Sequence, residues 1–375
     1  MSGMLRRPAL IACAGFVVLA ASACTVTTGG SSAAPDGGGS GAGQPANSHV
    51  PSWCGSKKVS LGLADGFGDN NWRQVTAAEA KAEIAKCPSV TSYSYTDGQG
   101  NTQKAISDVQ GLVAKGTSAL VVFPDAGQAV LPALRSAHQA GVVTVPYRVD
   151  PGGKPGTDYD AFVSTDFKQT GVLWGQWLVK ALHGKGNVLN LGGPLANSQS
   201  LAEFQGMQSV LKDHPDIKFV GTTPYEVTNW DAAQTQKVVT AALSKYPKID
   251  AITTDFGSAL ASSFSAFSSA GRRIPAIATE DSNQLACDWQ KDKVAGKPFP
   301  LFTVSSQNAM SRLAVDVAVA KASGGVVPSS TVFPQTAFED SISGQPHPVT
   351  CEKALPMDAF VSSSLTTAQQ NAALK

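Results

Sequence analysis

The sequence has few of the residues and none of the short motifs on which most enzymes depend. Only five of its 375 residues are histidines, so general acid–base chemistry has few candidates. The chain contains no GxSxG nucleophile elbow, no HExxH zinc motif and no GxxxxGKS or GxxxxGKT phosphate loop, and no GxGxxG follows a predicted strand. We therefore expect a protein that is not an enzyme, with no metal site and no cofactor.

The sequence also lacks an excess of charge of either sign. Lysine and arginine number 29 against 28 acidic residues, which gives a formal net charge of +1. Such a chain has no field that would gather nucleic acid or an anionic membrane surface. We expect a partner that is neutral or locally matched in charge, and no nucleic acid.

The chain begins with an apolar run that is too short to span a bilayer. This run, Ala9 to Ala20, follows two arginines and holds about a dozen residues, whereas a membrane-spanning helix needs about 20. Small residues then precede Cys24, a pattern typical of a secretory signal peptide cleaved at a lipid-modified cysteine. We predict a signal peptide over residues 1–24 and export, with lipid on Cys24 anchoring the protein to the outer face of the cell membrane. Plain secretion is the alternative.

The next segment has too few apolar side chains to fold. Residues 25–48 are almost wholly Gly, Ser, Ala, Thr and Pro, which predicts a flexible tether over residues 25–52. About 320 residues remain, which suits two domains of typical size. The predicted lobes are an N-terminal lobe of residues 53–160 plus 308–335 and a C-terminal lobe of residues 161–307 plus 336–375.

Four cysteines remain once Cys13 leaves with the signal peptide and Cys24 takes the lipid. An even number of cysteines in an exported chain indicates disulfides, and no CxxC spacing or nearby histidine supports a zinc site. Three pairings are possible. One cysteine lies just before the first predicted strand and another closes the first predicted helix, so we favour Cys54 with Cys87 and Cys287 with Cys351.

Short runs rich in Val, Ile and Ala alternate with longer amphipathic segments from Lys57 onward. This alternation predicts an α/β protein, in which helices flank parallel sheets. The pattern restarts at Ala161, after a stretch of turn-forming residues over Asp150–Asp160 that is a candidate lead-in to a hinge. The predicted helices include Trp230–Lys245 and Ser258–Ala270.

Planar polar groups and aromatic rings recur just after the predicted strands. In open parallel sheets, ligands bind beyond the carboxyl ends of the strands. Carboxylates, amides and guanidinium groups bind hydroxyls directionally, and tryptophan rings pack on the C–H faces of sugars, so this set suits a sugar or polyol. Each isolated Asp, Asn or Ser is also an ordinary helix cap, and tryptophans also pack in cores. The candidate binding residues are Asp69, Asn71, Trp72, Arg73, Tyr147, Arg148, Asn197, Ser198, Trp230, Asp255, Glu280, Asp281 and Gln307.

Three segments carry a resemblance to a known family. They are Gly111 to Arg148, Gly184 to Val220 and Tyr246 to Leu260, and in this order they resemble the periplasmic-binding-protein family of type I. The likeness extends over roughly Val59 to Gly325 and is closest to the ribose-like sugar-binding subunits of ABC importers. It implies two Rossmann-like lobes, with parallel sheets flanked by helices, joined by a multi-strand hinge.

The resemblance also implies roles in the N-terminal half. Trp72 occupies the place of an aromatic that stacks on the sugar ring, and Arg73 resembles an arginine that reaches the ligand in hexose-binding members. Arg148 matches the arginine of an Asp-Arg pair, but Tyr147 stands where the aspartate belongs. A further ligand-binding arginine is missing, with Leu201 near its place.

In the C-terminal half, Trp230 occupies the place of a second stacking aromatic. Asp255 stands where relatives have a ligand-binding asparagine. Glu280 or Asp281 takes the place of an aspartate, and Ser306 or Gln307 that of a glutamine. The departures from the family pattern leave the identity of the sugar open.

Together these features predict a lipid-anchored, monomeric receptor that captures a small sugar or polyol between two lobes and delivers it to an ABC permease. Ligand would bridge the lobes and stabilise their closed state. An extracellular sensor that docks on a membrane receptor kinase is the alternative. A secreted carbohydrate-active hydrolase is a weaker one, because it requires two carboxylates across a scissile bond, for which Asp255 and Glu280 are candidates.

Overall fold

The computed structural model describes residues 50–68 and 70–375. The predicted signal peptide, the lipid-attachment residue Cys24, the tether up to residue 49 and the candidate residue Asp69 lie outside the described residues. In the part of the chain that is described, no helix has both the length and the apolar character needed to cross a membrane.

Strands and helices alternate along the described chain. In order, the strands are β1 (Val59–Asp65), β2 (Val90–Asp97), β3 (Ala119–Phe123), β4 (Val143–Pro146), β5 (Ser164–Thr165), β6 (Gly186–Gly192), β7 (Ile217–Val220), β8 (Glu226–Val227), β9 (Ala251–Thr254), β10 (Ala276–Glu280), β11 (Leu301–Val304), β12 (Val332–Phe333) and β13 (Ala337–Asp340). The α-helices are α1 (Asn71–Ile84), α2 (Thr102–Ala114), α3 (Leu131–Gln139), α4 (Phe167–Ala181), α5 (Ser198–Leu211), α6 (Ala232–Lys245), α7 (Gly257–Ala261), α8 (Phe264–Ser269), α9 (Asn283–Val294), α10 (Met310–Ser323) and α11 (Thr367–Ala373).

The N-terminal lobe is built on four parallel strands in the order β2-β1-β3-β4. Strand β3 is buried at every position and β1 at nearly every one, because helices cover both faces of a parallel sheet. Helices α1 and α10 pack on one face around Leu61, Val121 and Val317. Helices α2 and α3 cover the other face around Leu120 and Leu134.

The C-terminal lobe is built on a second sheet, in the order β13-β11-β10-β9-β6-β7, with β8 also paired to β6. Its pairs are parallel except for β11 with β13. Helices α4 and α5 pack on one face through Trp174, Trp177 and Met207. Helices α6 to α9 cover the other face, with Leu243 and Trp289 in the core. The predicted α/β fold, with helices on both faces of parallel sheets, is confirmed.

Three stretches carry the chain between the two sheets. They lead from β4 to α4, from β11 to α10 and from α10 to β13. Strands β5 and β12, which belong to two of these stretches, pair with each other in parallel, with Val332 opposite Ser164 and Phe333 opposite Thr165. The lobes are therefore joined by three crossings of the described chain, two of which contain a short strand, as expected for a multi-strand hinge.

The end of the chain differs from the expectation that residues 336–375 belong wholly to the C-terminal lobe. Strand β13 does pair with β11, but Phe360 and Leu365 lie in the core of the N-terminal lobe. Helix α11 contacts α1, and the Ser363 hydroxyl donates to the carboxylate of Glu79 on α1 at 2.7 Å. Apolar side chains of the tail are buried in the core that also contains residues of α1, which removes them from water.

In the described part of the chain two disulfides are formed, one beside the first strand and one near the C-terminus. Cys54 is bonded to Cys87, which joins the segment before β1 to the residues after α1. Cys287 is bonded to Cys351, which joins α9 to the tail. These are the pairings that the sequence favoured.

Helices α4 and α5 cross at a pair of glycines. A Cβ atom on Gly171 would lie 1.8 Å from the carbonyl oxygen of Glu203, and one on Gly206 would lie 2.1 Å from that of Lys168. Only glycine permits so close an approach of two backbones. This contact fixes the position of α5, whose first turn reaches the candidate site.

Two predicted helices have different bounds in the structure. The helix predicted over Ser258–Ala270 is broken into α7 and α8, and the break is at Ser262 and Ser263. The helix predicted to start at Trp230 starts at Ala232 instead. Trp230 lies in the preceding loop, where Asp231 caps the helix by accepting from a backbone N–H at 2.7 Å.

Candidate functional site

A cavity of about 1020 Å³ lies between the two lobes. Its wall includes residues at or after the ends of β1, β2, β3 and β4 in the N-terminal lobe and of β6, β8, β9 and β10 in the C-terminal lobe. These segments converge because parallel strands place their carboxyl ends at one edge of a sheet. The tail contributes Asp358, whose carbonyl oxygen accepts from the side-chain amide of Asn71 at 2.5 Å.

Most of the candidate binding residues are brought to this cavity. Those that line it are Asn71, Trp72, Arg73, Arg148, Asn197, Ser198, Trp230, Asp255 and Glu280. The sugar hypothesis depends most on the convergence of four residues. All four line the cavity: Trp72, Arg148, Trp230 and Asp255.

Three candidates lie behind the wall and not on it. Tyr147 is 1% exposed and packs edge-on against Phe123, because successive residues leaving a strand point to opposite sides and Arg148 takes the cavity side. Asp281 accepts from the backbone N–H of Ser306 at 2.7 Å, and thereby holds the segment after β11. Gln307 accepts from Arg148 at 3.2 Å and acts through that residue. These three candidates therefore do not line the cavity, and their direct contact with a ligand stays a prediction.

Arg148 connects the two lobes within the cavity wall. Its guanidinium donates to Glu280, at the end of β10, at 3.0 Å, and its carbon Cζ lies 4.4 Å from the centre of the Trp72 ring. The residue has a positive φ of 65°, in the left-handed region that residues other than glycine seldom adopt. Such backbone strain persists where the surrounding contacts fix it, and it is common at functional sites.

Trp72 supports Arg148 and offers little free ring surface. The indole N–H donates to the carbonyl oxygen of Ser306 at 2.8 Å, and the residue is only 6% exposed. Arg148 covers the face of the Trp72 ring, so Trp72 supports the guanidinium through packing. The edge of the Trp72 ring lines the cavity.

Trp230 presents a more accessible ring. It is half-buried, and its six-membered ring packs on Gly193, where a Cβ atom would lie 2.4 Å from Cζ2. Trp230 and its neighbour Asn229 both have left-handed backbones, with φ of 56° and 53°. This left-handed backbone directs the indole into the cavity and away from the first turn of α6. The sequence alone cannot show such a conformation.

Buried carboxyl groups gather on the C-terminal side of the cavity. Asp255 accepts from the hydroxyl of Ser200 at 2.8 Å, and Glu203 accepts from the amide of Gln199 at 3.1 Å. Burial raises the pKa of Asp255 and that of Glu203. Burial also raises the pKa of Glu280 to about 8, although Arg148 opposes this shift.

One acidic residue that follows a strand and lines the cavity is not among the candidates predicted from the sequence. Asp125 follows β3, lines the cavity and accepts from Arg73 at 2.5 Å, while Arg73 also donates to Asp65 at 3.3 Å. Burial raises the pKa of Asp125 to about 6, although the positive charge of Arg73 partly opposes this shift. The guanidinium lies over the Phe123 ring, 3.3 Å from its centre. The rule that found the other candidates, applied to the sequence Phe-Pro-Asp-Ala after β3, would have found Asp125.

Asn197 lines the cavity and also caps a helix. Its side-chain oxygen accepts from the backbone N–H of Ser200 at 3.1 Å, as a residue before the first turn of α5 should. The capping role that the sequence left open is therefore present, and the NH2 group of the same amide stays available to a ligand.

Groups of three or more His, Cys, Asp or Glu side chains that could hold a metal ion are not found among residues 50–68 and 70–375. The cavity wall is instead a set of hydrogen-bonding and aromatic groups, suited to an organic ligand of many polar atoms.

Comparison with known proteins decides the family. A family model described as a periplasmic binding protein domain matches residues 63–325, which is more than half of the chain. The chain belongs to the periplasmic binding protein domain family. The resemblance stated from the sequence is confirmed.

The chain is similar in sequence to curated periplasmic binding proteins, of which two are described here. The galactofuranose-binding protein YtfQ of Escherichia coli (strain K12) is 27% identical over 163 residues, which is 43% of this chain and 51% of the relative. The xylitol-binding protein of Mycolicibacterium smegmatis is 25% identical over 259 residues, which is 68% of this chain and 71% of the relative. The chain thus spans about half the length of the first relative.

Solved structures of periplasmic binding proteins share the fold. An ABC transporter solute binding protein from Thermobispora bispora has a TM-score of 0.66 at 22% identity, with 84% of this chain and 94% of that chain covered. At this identity the comparison establishes the architecture, and the ligand must be argued from the cavity.

Proposed function

We propose that this protein is the substrate-binding component of an ABC importer and captures a small sugar or polyol between its two lobes. The convergence of Trp72, Arg148, Trp230 and Asp255 on one cavity between the lobes carries the proposal. The relatives named for galactofuranose and xylitol support a ligand of many hydroxyl groups.

The cavity offers groups that such a ligand needs. The Oδ1 atom of Asp255 and the Oγ atom of Ser258 are buried and have no hydrogen-bond partner among the described residues. Both residues line the cavity. A buried polar atom without a partner costs about 1–3 kcal/mol, so a ligand hydroxyl that pairs with it gains affinity. The Trp230 ring supplies the apolar surface for the C–H face of the ligand.

The proposed mechanism contains no bond-making step. Arg148 and Trp72 come from the N-terminal lobe, and Trp230, Asp255 and Glu280 come from the C-terminal lobe. A ligand that touches both sets stabilises the closed arrangement, because its contacts are complete only there. A membrane permease then recognises the closed form and accepts the ligand.

The proposal also includes the setting of the protein. We infer that it is exported, held to the outer face of the membrane by lipid on Cys24, and active as a monomer. The tether over residues 25–52 would let the two lobes reach the permease from that anchor.

A thermal-shift screen with pentoses, hexoses, polyols and nucleosides tests the ligand class, because a bound ligand raises the melting temperature by mass action. Calorimetric titration of the strongest compound then compares Trp230→Ala with Phe338→Ala. Phe338 is also half-buried and lies on β13, away from the cavity. We expect Trp230→Ala to abolish detectable binding and Phe338→Ala to preserve it. Unchanged affinity in Trp230→Ala would refute the site.

A further inference from the structure

More acidic than basic residues line the cavity. Two guanidinium groups line it, and no lysine or histidine occurs among its described lining residues. Both guanidinium groups are already paired, Arg73 with Asp65 and Asp125 and Arg148 with Glu280. The carboxylates that line the wall are Asp125, Asp150, Asp231, Asp255, Glu280 and Asp358.

Asp255 is a buried carboxyl group of the wall with an unpartnered oxygen among the described residues. The residue is 3% exposed, and one oxygen accepts from Ser200 at 2.8 Å. The other oxygen has no donor in hydrogen-bond geometry among the described residues, although the nearby Trp230 side chain lowers the pKa of the carboxyl. Because Asp255 also lines the cavity, a ligand group is the natural partner for that second oxygen.

The groups around Asp255 make a cationic partner favourable. Glu203 on α5 and Glu280 on β10 face it as like charges, Arg148 is the facing positive charge, and the phenol of Tyr225 is the remaining titratable neighbour. Three buried carboxyl groups with one guanidinium cannot all be ionised at low cost. A positive charge on the ligand would compensate the excess.

We infer that the ligand is a sugar or polyol that carries a protonated amino group, and that this ammonium group pairs with Asp255. Anionic derivatives such as uronates are excluded, because the wall offers them no unpaired positive charge. This inference rests on the proposed function and makes its ligand class more specific.

Titrations of matched compounds test the inference. At about pH 6, calorimetry compares D-glucosamine, D-galactosamine and 1-amino-1-deoxy-D-sorbitol with D-glucose, D-galactose and D-sorbitol, and with D-glucuronate and D-galacturonate. In at least one series we expect the amino compound to bind about tenfold or more tightly than its hydroxyl counterpart, and the uronates not to bind. Equal or weaker binding of every amino compound, including no binding at about 10 mM, overturns the inference.

The pH dependence gives a second readout. An ammonium group favours ionised carboxylates, so its binding lowers pKa values that burial has raised and releases protons. The affinity of the amino compound should rise between about pH 5 and about pH 7, and heats measured in two buffers of different ionisation enthalpy should reveal proton release. Binding without proton release contradicts the inference.

Asp255→Asn keeps the size of the side chain and removes its charge, and Asp213→Asn makes the same change at an exposed position after α5. We expect the preference for the amino compound to fall to about onefold in Asp255→Asn and to persist in Asp213→Asn. Loss of the preference in both variants, or in neither, overturns the role of Asp255. If Asp255→Asn does not fold, proton release by the unaltered protein decides whether the inference holds.

Binding of a neutral sugar that depends on Trp230 but shows no preference for the amino compound would retain the proposed function. Such a result would remove only the inference about the amino group.

Discussion

Arg148 makes a buried charged contact between the two lobes. It follows β4 of the N-terminal lobe, donates to Glu280 of the C-terminal lobe and lies over the Trp72 ring. Both partners of the ion pair are buried, with side-chain exposures of 7% and 3%. Removing one partner of a buried pair leaves the other charge without compensation, which costs far more than losing a surface pair.

We expect Arg148→Met to lower the free energy of unfolding by about 3–5 kcal/mol above about pH 8, where Glu280 is ionised. The loss should be smaller near about pH 5, because Glu280 is then protonated and needs no cation. Urea denaturation at the two pH values measures both effects. Arg135→Met is the control, since that guanidinium is 46% exposed in its pair with Asp158, and its effect should be much smaller. An equal effect of the two substitutions would contradict the assignment.

At the scale of elements, the crossing of α4 and α5 positions part of the site. The close approach at Gly171 fixes α5, which carries Ser200 and Glu203 beside Asp255. We expect Gly171→Ala to destabilise the protein by about 1–3 kcal/mol, because its methyl group would overlap the backbone of Glu203, and to weaken ligand binding.

Gly111→Ala provides the matched control for that prediction. Gly111 lies inside α2, and a Cβ atom there would meet nothing within 4 Å. This substitution should leave binding unchanged and stabilise the protein by up to about 1 kcal/mol. Thermal unfolding and calorimetric titration of both variants decide. Similar behaviour of the two would show that helix propensity, and not the crossing, controls the result.

The elements that could be predicted from sequence are those with a strong apolar pattern. The buried run of β3 and the stripe on α2 have this pattern, and the observed bounds agree with it. The tail lacks such a pattern, so neither α11 nor its contact with α1 was foreseen. The strand-end rule found Asp255 and Trp230 because parallel strands share an edge. It placed Tyr147 on the cavity together with Arg148, although successive residues leaving a strand point to opposite sides.

For the whole molecule, buried acids should set the pH dependence of stability. Burial raises the pKa of Glu280 to about 8, of Asp316 and Glu339 to about 7, and of Asp125 to about 6. The folded state therefore binds these protons more tightly than the unfolded state, and the stability they contribute is lost as pH rises through those values.

We expect the free energy of unfolding of the ligand-free protein to fall between about pH 5 and about pH 8, by at most ~1.4 kcal/mol per pH unit for each group. Glu280→Gln should make the fall less steep, because it removes the group with the highest of these values. Denaturant titrations across this range provide the measurement. A stability that rises with pH through the same range would contradict the burial of ionisable acids described here.

If the proposed function is right, a hydroxyl-rich ligand is held between the lobes by groups from both of them. A crystal structure of the protein with the strongest compound from the thermal-shift screen would show these contacts. We predict electron density for the ligand in the cavity, stacked on Trp230 and hydrogen-bonded to Asp255, with Arg148 contacting it from the opposite lobe. Density for the ligand outside this cavity, or contacts with one lobe alone, would contradict the account.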